Sequence, residues 1–439
     1  MRMLLAAACI GALCGASAAE AATKAKRPSG RTVAKRKLAR EGFTSVALSC
    51  KTKKTRTRCS WTGLRHQSRC DGRVVVAPKS RTTRARAAQM DATRCRPVLY
   101  GFNTYTNERT VGLQQKTGAN VRRIIVPWYS VQPGPGVWNW HDYDEQYRKA
   151  LEAGFKPIII ATEAPCWARP RSGCLAPAIG GPPDPERDGD WRTYVKAVAD
   201  RYPQALAIEI WNEPNLSQVW WPKPDPARYT QLLTQAYGVI KQSHPDLPVI
   251  SGGLLSHGMT GEGPSGMGDL TFLRGMLAAG AGNAMDGLGV HPYPQENTPE
   301  GRAVRWNPGM AVVTLRKWRA IAAEHGVSKP LWITEIGEST SSQAGFPAAV
   351  TPDEQARDLE KIMLDAVQAR DIEVVVIHTL GDAPRDAGQQ GLDNLLQPAT
   401  GISIFYNGVN SGFGVFDSAD RPKPAACVLS RALGGTLNC

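Results

Sequence analysis

The 439-residue chain reads as α/β: a (β/α)8 barrel behind a small, basic, cystine-containing N-terminal module. Three observations lead there. From about residue 96 onward, short apolar runs alternate with helix-length amphipathic stretches, eight times over. Two of those runs, around residues 205–210 and 331–335, deliver Glu213 and Glu335 at the C-terminal mouth, where a TIM barrel keeps its chemistry. Before residue 96 the pattern changes to cysteines, basic residues and short β-like runs.

Each barrel unit has its own signals. Residues 97–103 are the first strand, and a short helix over 108–117 is ended by Gly118. Strands follow at 121–126 and 156–161, separated by a helix over 141–153 that Gly154 closes. A helix over 191–201 leads to the fourth strand, Ala205 to Ile210, where Pro214 marks the stop after Trp211, Asn212 and Glu213. Then come a helix at 226–243, a strand at 248–251, a helix at 269–279 and a strand at 285–291. A helix at 310–325 precedes the seventh strand, 331–335. Thr351 with Pro352 opens a helix running to residue 370, residues 373–379 are the eighth strand, and a helix over 423–432 closes the ring. A doubly wound open sheet is the competing arrangement. It lacks the Gly-rich phosphate turn after the first strand.

Residues 1–22 read as a secretory signal peptide. Arg2 is followed by small and apolar residues, and Ala16-Ser17-Ala18 and Ala19-Glu20-Ala21 both suit an A-x-A cleavage site. No apolar run of membrane-spanning length follows, so a secreted protein without a membrane span is expected. Eight cysteines remain after residue 22, an even number that suggests disulfides in an oxidising compartment. Proximity suggests Cys166–Cys174 and Cys427–Cys439, while Cys50, Cys59, Cys70 and Cys95 can pair in three ways. None of these cysteines has C-x2-C spacing, which argues against structural zinc.

Charge is concentrated at one end. Residues 23–95 carry 21 Lys and Arg against three Asp and Glu, a net of +18. With Arg2 and Glu20 cancelling, the formal +14 of the chain leaves about −4 for everything after Cys95. Residues 23–42 have few large apolar side chains and read as a disordered basic arm. Residues 43–95 read as a small cystine-stapled β module, which either solubilises the chain or holds an anionic cell-wall polymer. Nucleic acid is not the expected partner, and a monomer is expected.

The two strand-end carboxylates are what glycoside hydrolysis requires, and strands four and seven face each other across a closed barrel. A separation of about 5 Å, the retaining distance, fits barrel dimensions. One carboxylate would attack the anomeric carbon, and the other would protonate the leaving oxygen and then activate water. Glu338, three residues after Glu335, reads as a surface or supporting carboxylate, and Glu163 after strand three either lines the cleft or, the favoured reading, pairs with a loop arginine such as Arg169. Trp220 and Trp221 are adjacent in a loop just after the catalytic strand and read as sugar-stacking residues. Trp128, Trp138 and Trp140 read as rim packing, and Trp332 as core.

From about residue 100 to 433 the chain resembles the clan A glycoside hydrolases, families 5 and 39 above all. The matching stretches are WNEPN at 211–215, ITEIG at 333–337, HPY at 291–293, VRRIIVPW at 121–128, GVWNW at 136–140 and FGVFDSADRPKPA at 413–425. The resemblance implies a carbohydrate substrate and no metal or organic cofactor. It makes Glu213 the acid/base, Glu335 the nucleophile and Asn212 the amide for the sugar 2-hydroxyl. It gives Tyr293 the task of holding the nucleophile, His291 that of lining the site, and Arg123 that of keeping Glu335 ionised, with Arg122 as rival for the last. One departure stands out: Ile377-His378-Thr379-Leu380 occupies the end of strand eight, where many relatives carry tryptophan, so either His378 replaces that contact or the floor for the sugar comes from elsewhere. A barrel that binds carbohydrate without turning it over is the alternative, and the intact pair Glu213 and Glu335 speaks against it.

Overall fold

The computed structural model describes residues 28–65, 68–78, 86–170, 180–256, 261–263, 266–297, 303–342, 347–369, 371–382 and 412–439. The residues expected to form a signal peptide, the first part of the basic arm, Cys174 and most of the segment 381–420 lie outside the described residues. No helix among the described residues is long and apolar enough to cross a membrane.

The basic arm is not disordered from residue 30 onward. Gly30–Arg40 forms a helix, α1, whose first turn is capped by the Ser29 hydroxyl. Basic composition hid a narrow apolar seam: Ala34 and Leu38, one turn apart, are fully buried. They pack with Phe43, Cys59, Trp61, Val74 and Val76 of an antiparallel sheet. Its four strands, β1 (Thr44–Lys53), β2 (Arg56–Arg65), β3 (Ser68–Pro78) and β4 (Arg86–Pro97), pair in sequence order. Cys50–Cys59 joins β1 to β2 and Cys70–Cys95 joins β3 to β4, which resolves the three-way choice. Leu64 of β2 is buried in the main apolar core, so the sheet is seated on the barrel.

The barrel strands are Leu99–Asn103, Val121–Pro127, Lys156–Thr162, Ala207–Ile210, a split fifth strand, Leu288–His291, Leu331–Ile336 and Ile372–Ile377. All pair in parallel, and the eighth pairs with the first. In the fifth strand Val249–Ser251 pairs with strand four and Leu254–Leu255 with strand six. Ile250 also bridges to Gly287, so the ring closes. Helices Glu108–Thr117, His141–Glu152, Asp188–Arg201, Pro226–Ser243, Asp269–Ala278, Pro308–Glu324, Pro352–Gln368 and Pro424–Leu433 surround it. Cys427–Cys439 ties down the C-terminal end, and Cys166 is disulfide-bonded.

The period-two alternation of strands builds the site. Val121, Ala207 and Trp332 belong to an apolar plug inside the barrel, together with Ile158, Ile250 and Val374. Arg123, Glu209 and Thr334 stand two residues further along the same strands and so share the inward face one layer up. All three are buried. Arg122 points the other way: its guanidinium donates to the Tyr105 and Thr110 carbonyls and lies 5.3 Å from the Phe155 ring centre.

Candidate active site

Glu335 ends strand seven and is 9% exposed. Three groups hold it. Asn103 Nδ2 donates to Oε1 at 2.9 Å, Arg123 Nη1 to the same oxygen at 2.5 Å, and the Tyr293 hydroxyl to Oε2 at 2.9 Å. Burial alone would push this carboxyl up. The imidazoles of His291 and His378 when protonated, the Arg123 guanidinium and the Tyr293 hydroxyl instead hold it well below the usual carboxylate range.

Arg123 is completely encased, and Glu209 answers its charge. The guanidinium donates to Glu209 through Nε at 2.8 Å and Nη2 at 3.1 Å, and Nη2 also reaches Asn212 Oδ1 at 2.8 Å. A buried cation with this many charge-assisted partners is a rigid positioning device. It spans strands two, four and seven and fixes Glu335 and Asn212 relative to each other.

Glu213 sits beyond strand four in the left-handed region, at φ 46, next to Trp211 at φ 75. This turn lifts the side chain into the mouth. His291 Nδ1 lies 2.9 Å from Glu213 Oε1, and His291 Nε2 lies 3.0 Å from Thr334 Oγ1. The Thr334 hydroxyl donates onward to Glu209 Oε1 at 3.0 Å, so it accepts from His291 Nε2–H. One chain of hydrogen bonds therefore runs from Glu213 through His291 and Thr334 to Glu209. Ligand atoms of Glu213, His291 and Glu335 all lie within 4.8 Å of one another. The path needs room at strand five, where Gly253 provides it: a Cβ there would lie 2.1 Å from His291 Nε2.

Glu213, Glu335, Asn212, Arg123, His291 and Tyr293 thus converge as the sequence suggested. His378 is at the edge of the group, with Nδ1 3.3 Å from Asn103 Nδ2 and its ring 5.3 Å from that of Phe413. Trp220 does not join them. It is 1% exposed, with its ring 4.9 Å from Trp211 and 5.9 Å from Tyr229, and it can offer no face to a sugar. The loop turns it inward to complete an aromatic stack behind strand four. Trp221 is half-buried at the loop surface. Glu163 lies buried near Arg169, and burial pushes its carboxyl up to about 7 against the pull of that guanidinium. Glu338 is buried rather than superficial, and burial with the neighbouring Asp358 and Glu354 pushes it up to about 9.

Sequence reasoning missed Glu209, Asn103 and Thr334. Glu209 left a signal: a carboxylate inside an otherwise apolar strand, in phase with the inward-facing Ala207, needs a buried cation.

The backbone matches solved structures along most of its length. A family 39 glycoside hydrolase from Bacteroides cellulosilyticus WH2 superposes with a TM-score of 0.54 at 20% identity, over 90% of this chain and 80% of that one. The barrel shares its fold with that glycoside hydrolase. A monomeric β-xylosidase from Caulobacter crescentus CB15 gives 0.52 at 20% identity over 75% of this chain and 66% of that one. Fungal β-1,4-galactanases give 0.51 at 17% identity over 76% and 94%. No protein-family model matches this chain, and no curated protein matches it in sequence.

Proposed function

We propose that the chain is a secreted, retaining glycoside hydrolase acting on a polysaccharide or glycoside. The observation that carries this is the pairing of Glu213 and Glu335, on strands four and seven, with oxygens within 4.8 Å across one mouth. That spacing leaves room for a sugar carbon bonded to one carboxylate and suits double displacement better than a water held between two carboxylates. The described disulfides support folding in an oxidising compartment.

In this reading Glu335, held ionised, attacks the anomeric carbon. The glycosidic C–O bond breaks as Glu213 passes its proton to the departing oxygen. Water then attacks the same carbon, Glu213 takes its proton, and the bond to Glu335 breaks to return the carboxylate. Asn212 has its carbonyl engaged by Arg123, which leaves its NH2 for a sugar hydroxyl. Trp221 and His378 remain the candidates for contact with the sugar face.

The test is turnover of a panel of aryl β-glycosides and polysaccharides by wild type, Glu213→Gln and Glu335→Gln. Loss of nearly all activity in both variants is the expected result, with retention of anomeric configuration by NMR. Unchanged activity in either variant removes this assignment. Sugar binding without turnover in wild type would favour a carbohydrate-binding barrel instead.

A further inference from the structure

The chemistry at the barrel mouth leaves the charge of the N-terminal module unused. Strand alternation puts Cys59, Trp61, Val74 and Val76 under α1. The other face of the same sheet carries Lys51, Lys53, Arg56, Arg58, Arg73 and Arg94, all exposed. Lys51 stands directly opposite Arg58, and Lys53 directly opposite Arg56. Like charges facing each other across strands destabilise a sheet. Acidic relief is sparse: Arg73 lies 3.8 Å from Asp91, and the four facing cations of β1 and β2 have no ion-pair partner among the described residues.

This face runs into an open cleft of about 610 Å³ where the sheet meets the barrel helix Pro352–Gln368. Its walls interleave hydroxyls with guanidinium groups: Ser49, Ser60 and Thr62 beside Arg73 and Arg94, with Gln368 across from them and Asp71 the one carboxylate among the described residues. Two other polyanions fit poorly. Single-stranded nucleic acid wants aromatic platforms, and Trp61 is 2% exposed and turned to α1. A bilayer surface wants apolar side chains to insert, and the exposed large apolar residues among those described, Val137 and Val304, lie elsewhere. Guanidinium forks spaced by hydroxyls suit carboxylates spaced by sugar hydroxyls.

We propose that this sheet face binds a linear polyuronate, laid along the β1–β2 cationic ladder with one end in the cleft, and so holds the barrel on acidic polysaccharide. The choice of a glycan rests on the glycosidase reading of the barrel; the polyanion site itself does not.

The experiment is affinity electrophoresis of the full chain in gels containing polygalacturonate, with single-stranded DNA gels alongside and aryl-glycoside turnover measured on the same preparations. Three proteins are compared: wild type, K51A/R58A/R73A/R94A, and a charge-matched control, R31A/K35A/R36A/R40A, on the exposed side of α1. Thermal melts establish that all three are folded. Wild type is expected to be retarded by polygalacturonate at low salt and released as salt rises. The sheet-face variant should lose about tenfold or more in affinity, the α1 control much less, and turnover should be the same in all. No retardation of wild type, equal losses in both variants, or equal binding of DNA would each overturn the proposal. Retardation as expected with no turnover of any glycoside would fail the catalytic reading and leave the polyanion site standing, with its glycan assignment resting on the DNA comparison alone.

Discussion

His291 presents Nδ1 to Glu213 at 2.9 Å because Thr334, 3.0 Å from Nε2, takes the hydrogen on the other ring nitrogen. With Nε2–H committed, the contact between Nδ1 and Glu213 Oε1 holds the one mobile proton of the pair. When that proton sits on Glu213, the imidazole is neutral and the acid is ready. After it leaves with the departing group, a lone pair faces a carboxylate, which favours taking a proton back from water. Replacing Thr334 by Val keeps the shape and removes this control. Thr334→Val should lower kcat by roughly tenfold or more with an altered alkaline limb of the pH–rate profile, and Thr334→Ser should restore both. An unchanged profile in the valine variant would mean that Thr334 only fills space.

Arg123 is a buried cation whose removal leaves its partners unpaired. Its loss would strand Glu209, fully buried, as an uncompensated anion. Arg123→Met should destabilise the barrel by about 3–5 kcal/mol, and the double variant with Glu209→Met should recover much of that. Chemical denaturation of the three proteins measures this, and neither variant should recover turnover, since Glu335 and Asn212 both lose their anchor.

Tyr293 is among the groups that lower the Glu335 carboxyl. In the proposed reaction Glu335 attacks as the carboxylate, so the acid limb of kcat/KM should follow its titration. Removing the hydroxyl raises that titration point, and Tyr293→Phe should therefore move the acid limb to higher pH, towards the ordinary carboxylate range. A limb that stays in place would point to another group.

Glu338 should set a stability slope instead. Its folded carboxyl is raised to about 9, so between the ordinary value of 4.5 and about 9 the native state holds a proton that the unfolded chain releases. Stability attributable to this group must fall as pH rises through that window. Glu338→Gln should flatten the slope and melt higher than wild type at pH 9, with a smaller difference at pH 5. Parallel slopes in the two proteins would contradict this.

Much of this was legible in the chain. The barrel strands fell where apolar runs met glycine and proline signals, and Glu213 and Glu335 stood out because each follows such a run. Which of Arg122 and Arg123 enters the barrel was not decided by residue type. Strand register decided it, since Arg123 is in phase with the inward Val121. Asn103 and Thr334 were invisible for a similar reason: a neutral side chain on a strand means nothing until its neighbours are known. Trp220 misled because two tryptophans in a loop look exposed, yet the loop folds one of them back on Trp211. In α1, two apolar residues one turn apart outweighed a run of lysine and arginine once a sheet was there to receive them.

Gly253 has one more implication. The bare backbone at the break in strand five is the aperture through which the Glu213–His291–Thr334 wire passes, and even one methyl group there would collide with the imidazole. The reactive machinery therefore hangs on the barrel wall itself, below the rim. An engineer could graft foreign segments onto the rim to change the sugar recognised, and the chassis beneath would keep its chemistry provided that this single vacancy stayed empty.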